Sequence, residues 1–396
     1  MQEPLTGKLS PIALKRWLWL LSVMSPAVPM LVAFLVWKTS NPLWSLAILG
    51  FYFGMVPVLD AVFGEDVSNP PDVIVEAMAA DPFYRTLLFI SVPVFYASFL
   101  TVAWVIGSTQ LPWWAFLALA VGAGTASGAG LTVGHELGHK PGKAEAFAAK
   151  LVNALTGYAH FCIEHNRGHH VMVATPEDAA SSRMGETVWQ FALREIPGAA
   201  HRGWQLERAR LAKKGLPFWH WRNDLLQGYA LTAGIAFGLV IAFGWIMVPF
   251  LLVHHVVGWL QLTFANYVEH YGLARQKLDN GRYESCQPHH SWNTNHIMSN
   301  LMLFHLQRHS DHHANPLRPY QALRNFDDLP RLPSGYPGCY VLAAIPPLWF
   351  RVMDPKVMAW AGAIWPAPIT LRAGSHVLAP FAVASAGNPQ RAPWLA

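Results

Sequence analysis

The chain has 396 residues, of which 53% are hydrophobic and 13% charged, with 18 tryptophans and 21 phenylalanines. That balance excludes an ordinary soluble domain. The 3 cysteines (Cys162, Cys286, Cys339) lack CxxC spacing, which argues against a disulfide framework and a thiolate metal site, and the net charge of +5 asks where the cations lie.

A membrane-spanning helix needs about 20 continuous apolar residues. In chain order the sequence offers 17–37, 43–63, 86–106 and 113–134, then a run from Tyr229 to Tyr267 that is too long for one crossing. Divided near Gly244, that run gives 229–245 and 246–267. The predicted fold class is therefore all-α: a polytopic membrane protein with six transmembrane helices and a histidine-rich region on the cytoplasmic side. Pro26, Pro29, Pro57 and Pro93 interrupt the spans. Between the second and third spans, "GEDVSNPPD" reads as a turn-rich loop, with Pro71 opening a short interfacial helix. The first span is full length and has no small-residue cleavage site, unlike a signal peptide.

The lysines and arginines orient these spans. The connectors 38–42 and 107–112 hold a single lysine, whereas residues 140–224 hold 12 basic residues and the chain after His270 holds 11 more. By the positive-inside rule, both termini and both basic segments (140–228 and 270–365) face the cytoplasm, as in a bacterial inner membrane. The net charge is then a matter of topology, of anionic lipid or of an acidic partner. Residues 1–365 read as one membrane-embedded catalytic domain. Residues 366–396, rich in Ala and Pro without periodicity, read as a loose tail.

The 19 histidines are unevenly spread, and none precedes His135. "HELGHK" contributes His135 and His139, "EHNRGHH" contributes His165, His169 and His170, and "LQRHSDHH" contributes His309, His312 and His313. Residues three or four apart share a helical face, so each box can aim its imidazoles one way. A lone histidine is most often a surface or hydrogen-bonded core residue, but eight in three boxes at one edge of a bilayer point to a shared metal site. A catalytic zinc takes three protein ligands, so this set suits two five- or six-coordinate ions. Imidazole serves iron, copper, nickel and zinc, and ligand type does not choose among them. His270 ends the sixth span at the depth where His135 and His139 leave the fourth.

Taken together, "HELGHK", "EHNRGHH", "NYVEHYGL", "LQRHSDHHA", "LDAVFGEDVSNPP", "ATPEDAASSRMGE" and "HHSWNTNHIMSNLMLFHLQRHSDHH" resemble the integral-membrane alkane 1-monooxygenases of the membrane fatty-acid desaturase and hydroxylase superfamily. The resemblance runs from about Trp17 to Met358. It implies a non-haem site of two iron ions held by His135, His139, His165, His169, His170, His270, His309, His312 and His313. It also implies insertion of one oxygen atom of O2 into the terminal C–H bond of a medium-chain n-alkane. The chain has no dinucleotide fingerprint, flavin motif or CxxC pair, and no fused rubredoxin. The resemblance therefore implies a separate rubredoxin, reduced through rubredoxin reductase and NAD(P)H. The basic run "HRGWQLERARLAKKG" is one docking surface for it, or else a solvated amphipathic helix. No feature suggests nucleic acid; the expected partners are rubredoxin, membrane lipid, alkane and O2.

Other readings stay open at this stage. A xylene-type monooxygenase, a fatty-acid ω-hydroxylase or a desaturase would share the boxes. "HELGH" alone fits a zinc protease with Glu136 as base, but leaves the remaining clustered histidines without a role. A metal transporter would string histidines along a path through the bilayer.

Around the boxes, Glu136, Glu164, Asp178, Glu269 and Asp311 are expected to orient ligand imidazoles by accepting their second N–H. The alternative is ion pairing with nearby Lys and Arg. His305, four before His309, is either such a support or a packing residue. His254, His255, His289, His290 and His296 read as structural. An alkane offers no polar handle, so it must be held by burial, at about 0.8 kcal/mol per methylene. Stepping back from His135 by helical intervals gives Leu131, Gly128, Gly124 and Val121 as channel wall, or as a close-packing face. In the second span, Tyr52 with Leu49 and Val56 is expected to limit chain length.

Overall fold

The computed structural model describes residues 11–363 and 369–372, and among these all regular structure is helical. In chain order we name α1 (Lys15–Thr39), α2 (Pro42–Phe63), α3 (Asp72–Ala80), α4 (Pro82–Ser108), α5 (Trp113–Gly138), α6 (Lys143–Ala154), α7 (residues 161–172), α8 (Val188–Ala212), α9 (Asp224–Phe243), α10 (Met247–His270), α11 (Ile297–Met302), α12 (His309–Ala314), α13 (Tyr336–Ala344) and α14 (Pro346–Ala363). Six of them, α1, α2, α4, α5, α9 and α10, are long and apolar enough to cross a membrane. The protein is a multi-pass membrane protein. Consecutive crossings reverse direction, so Lys15, Phe63, Pro82, Gly138, Asp224 and His270 share one end of the bundle.

Local chemistry sets the helix ends. Asn41 and Asp81 cap α2 and α4, each accepting from a backbone N–H two residues on (3.0 and 2.9 Å), with proline opening the first turn. Asn223 accepts from Leu225 and Leu226, and this cap starts α9 at Asp224 rather than at Tyr229. Gly244, at φ 79°, turns the chain between α9 and α10. Two crossings are irregular. A 3₁₀ turn at Ser25–Ala27 breaks α1 at Pro26, and α2 contains a π-turn at Gly50–Met55.

Helices α5 and α10 approach closely because α5 presents glycines. A Cβ on Gly124 would stand 2.7 Å from the His254 carbonyl oxygen, and one on Gly128 would stand 2.6 Å from Gln261 Cγ. One apolar core fills the bundle, including Phe95, Phe99, Leu119 and Phe250. A second lies at the end that carries His135 and His270, around Tyr267, Tyr271, Trp292 and Trp349. Most of the expected tail falls outside the described residues. Of the part described, Thr370 donates its N–H to the Gly272 carbonyl (3.0 Å) and accepts from Met184 N (2.8 Å). These four residues are pinned to the second core instead of lying loose.

Candidate metal centre

Nine histidines converge at this end of the bundle in two groups. His135, His139, His165, His170 and His312 form the first; His169, His270, His309 and His313 form the second. The ligand-capable atoms within each group lie within 4.8 Å of one another. Helix geometry explains the partition. His135 and His139 are one α-helical turn apart on the end of α5 and stay together. In α7 a π-turn spans His165–His169. It pairs His165 with His170, their Nε2 atoms 3.0 Å apart, and turns His169 to the other group. In α12, His309 and His313 are joined Nε2 to Nε2 at 2.7 Å, while His312 reaches His170 at 3.1 Å. The boxes therefore do not each present one face: the second and third boxes supply both groups.

The residues fit metal ions. The Nε2 atoms of His135, His139, His169 and His270 are buried without a protein partner. An unsatisfied buried polar atom costs about 1–3 kcal/mol, and elsewhere in each group nitrogen lone pairs face one another. One cation per group would satisfy these atoms together. Most of the donors are also in the right charge state, His169 beside Asp178 being the exception. Burial holds His165, His309, His312 and His313 well below the ordinary imidazole range and pushes His170 down to about 2. Neutral imidazole is the form that ligates.

Directly beneath lies a cavity with a largely apolar wall. Phe95, Ala126, Gly128, Leu131, Leu262, Met302 and Phe304 line it, with Tyr52 and Pro26 at the far end. His135 and His165 of the first group and His309 of the second form its polar end, and Glu269 is the carboxylate on its wall.

With this geometry established, comparison with known proteins decides the family. Residues 111–343 match the fatty acid desaturase family. The chain is 51% identical to alkane 1-monooxygenase 1 of Alcanivorax borkumensis, over 88% of this chain and 86% of that protein. It is 49% identical to an alkane 1-monooxygenase of Pseudomonas putida over the same shares. A xylene/toluene monooxygenase hydroxylase component of Pseudomonas putida matches at 28% over 58% of this chain and 61% of that protein. The chain belongs to the alkane 1-monooxygenases. It is an oxidoreductase, and the protease and transporter readings fall away.

Against that family background, the expected carboxylates divide by what they touch. Asp178 Oδ2 lies 2.8 Å from His169 Nδ1. Burial opposes charge on both groups, yet each favours the other's ion: His169 is raised and Asp178 is held well below the usual carboxylate range. Glu269 Oε2 lies 3.2 Å from His309 Nε2, and its Oε1 accepts from Tyr336 Oη at 2.6 Å. Glu164 reaches the site at one remove. It takes Arg202 Nε at 2.7 Å, and Arg202 Nη2 donates to Asp178 at 2.6 Å.

The other expected supports lie elsewhere. Glu136 pairs with Lys140 (2.8 Å) and accepts from Tyr320 N. Asp311 is taken up by Arg324 and Arg318 and accepts from Arg324 N. His305 turns away because Phe304 and His305 are left-handed (φ 50° and 53°), so the chain is not helical between it and His309. Its ring packs on Trp19 at 4.6 Å.

The channel residues divide as well. Tyr52, Gly128 and Leu131 line the cavity; Leu49, Val56, Val121 and Gly124 do not. The π-turn in α2 breaks the helical stepping by three and four that grouped Leu49 and Val56 with Tyr52. Gly124 is spent on contact with α10. Arg202, Tyr336 and Ser181, which donates to Asp178 at 2.7 Å, were missed by sequence reasoning. Arg202 sits inside the basic run read as a surface, and nothing local distinguishes it except Gly203 beside it, which faces His160. His254 is structural: it is buried and bonds Ser127 Oγ at 2.9 Å.

Proposed function

We propose that the protein hydroxylates medium-chain n-alkanes at the terminal carbon, with two iron ions held by the nine histidines. One observation carries the reading: an apolar cavity rises between crossing helices and ends on imidazoles of both groups. An alkane can be recognised only by shape and burial, and this wall offers both. The net reaction is alkane, O2, two electrons and two protons giving 1-alkanol and water. Bound iron would supply the reductive activation of O2.

The chain's own residues bind, orient and fix protons. The cavity wall excludes water and aims one end of the hydrocarbon at His135, His165 and His309. Asp178 holds the His169 proton at Nδ1 and leaves Nε2 free for metal. Tyr336 holds its hydroxyl proton on Glu269 Oε1, which keeps the other oxygen beside His309.

The basic segments favour a cytoplasmic orientation in a bacterial inner membrane, where a separate rubredoxin can deliver electrons. Within the basic run, Arg202 and Arg210 are engaged by Glu164, Asp178 and Glu207. The exposed Arg208, Lys213 and Lys214 then remain as the docking cations for an acidic partner. The test is metal analysis of the purified protein with a reconstituted rubredoxin assay on octane, xylene and a fatty acid. Two irons per chain, 1-octanol as main product and inhibition by salt are expected. One zinc, or preference for xylene, would overturn the reading.

A further inference from the structure

A second cavity, of about 320 Å³, lies beside the substrate cavity, its polar lining formed by Lys15, Asp66, Asn295, Asn300, His305 and Arg308. Helix α11 and the loop after it form the partition. Ser299, Met302 and Phe304 face the substrate cavity, while Asn300, Leu301 and His305 face this one. Its level is set by the crossings: Lys15 opens α1, and Asp66 lies three residues beyond the end of α2. That is the depth of lipid headgroups on the face that carries the histidines.

Two features of the lining ask for a ligand. The first is unfilled hydrogen bonding. Arg308 Nε, Asn295 Oδ1, Asn300 Oδ1 and His305 Nδ1 are all buried with no protein partner. The other guanidinium nitrogens of Arg308 are satisfied by the carbonyls of Asp66, Ser68 and Leu323, so its remaining donor is the Nε–H. The second is charge. Lys15 pairs with Asp66 at 2.7 Å, which leaves Arg308 without a carboxylate of its own, and Arg308 is 1% exposed. Asp311, the next acid it feels, is held by Arg324. A buried cation that shares its nearest carboxylate with a second cation leaves net positive charge in the cavity, which is costly to bury. Donors, acceptors and one surplus positive charge stand together with Leu18, Ile297 and Leu301.

We propose that this cavity binds the headgroup of an anionic glycerophospholipid: the phosphodiester at Arg308 and Lys15, and the headgroup hydroxyls at the asparagine oxygens and His305. The acyl chains leave along Leu18, which is 40% exposed on α1. The surplus charge selects an anionic headgroup over a zwitterionic one, and the orphaned acceptors select one that carries hydroxyls.

The test uses the full-length, metal-loaded protein in detergent, with native mass spectrometry titrating dioleoyl phosphatidylglycerol, dioleoyl phosphatidylcholine and inorganic phosphate. One tightly retained phosphatidylglycerol is expected, bound at least tenfold more tightly than phosphatidylcholine and not displaced by equimolar phosphate. Lys15→Gln should weaken it about fivefold, Lys15→Arg should restore it, and Asp66→Asn should tighten it. Equal retention of the two lipids, or displacement by phosphate, would overturn the assignment. So would Lys15→Gln and Asp66→Asn shifting affinity in the same direction, since loss of the ion pair as a structural tie would do that.

Discussion

The two imidazole groups lie side by side, with His170 and His313 ring centroids 4.5 Å apart, yet they are built differently. The four-histidine group is braced by carboxylates: Asp178 on His169 and Glu269 on His309, backed by Arg202 and Tyr336. Among the described residues, no carboxylate lies within ion-pair distance of any member of the five-histidine group. One group has an extra donor and no acid; the other has fewer donors and two acids, Asp178 fixing the His169 tautomer through Nδ1 and Glu269 standing beside His309 Nε2, the nitrogen that also faces His313. If metal binds as proposed, one group would hold it by number of imidazoles and the other by fewer imidazoles with acids beside them.

The largest effects come from removing donors, and they should be unequal. His313→Ala leaves three imidazoles in its group, and bound metal should fall by about half with activity down at least a hundredfold. His139→Ala leaves four, and most metal should remain, although turnover drops. Metal content by mass spectrometry on both variants checks this. Equal metal loss from the two would break the contrast between number and bracing.

Next in size is the bracing itself. Asp178→Asn keeps shape but removes the charge that fixes His169, and should lower metal affinity or activity by about 10–100-fold. Asp311→Ala should behave differently. Asp311 holds Arg324 and Arg318 and not an imidazole, so the expected signature is a lower melting temperature with metal stoichiometry near that of the wild type. If Asp311→Ala empties a metal site while Asp178→Asn does not, the roles assigned to these acids are reversed.

How much of this was legible in the sequence follows from which signals are local. The six crossings are, because hydropathy acts over about 20 residues, and the three boxes mark eight of the nine histidines directly, His270 being marked by its place at the end of the sixth span. The partition into five and four was not legible, since α-helical spacing puts His165 with His169 and only the π-turn separates them. α-Helical stepping failed in α2 for the same kind of reason, at Gly50–Met55. His305 was lost to two left-handed residues that no propensity announces. Arg202 and Tyr336 act across 24 and 67 residues of sequence, on Asp178 and Glu269, and nothing near either one in the chain points to its partner.

A smaller effect is expected at the far end of the cavity, away from both groups. Tyr52 lines the cavity there and donates its hydroxyl to the Ser25 carbonyl at 2.7 Å, beside the break in α1. Tyr52→Ser should admit longer alkanes. Each further methylene buried gains about 0.8 kcal/mol, or about fourfold in kcat/KM per carbon, until the new end is reached. Product profiles across alkane lengths read this out, with metal content of both groups unchanged. An unaltered profile would mean that the chain does not extend past Leu131 and Gly128.

The smallest effect concerns the density of acids on the braced side. Glu195 on α8 is buried, accepts from Thr263 Oγ1 at 2.8 Å and from Asn266 at 3.2 Å, and lies near Glu164 and Asp178. Burial, together with the negative charge of Glu164, raises its pKa to about 7. An unfolded glutamate titrates near about 4.3. Between those values the folded protein holds a proton that the unfolded chain has released, so this contribution to stability is full below the lower value and is lost as pH rises through about 7. Glu195→Gln has no proton to lose and keeps the hydrogen-bonding shape. Its melting temperature relative to the wild type should therefore rise between pH 5 and pH 8, while the difference stays flat below about pH 4.3. In the Asp178→Asn background the raised pKa should relax downward and the crossover should move to lower pH. A wild-type-minus-variant difference that is constant across this range would mean that Glu195 is ionised in the fold, and that the acids behind the four-histidine group do not feel one another.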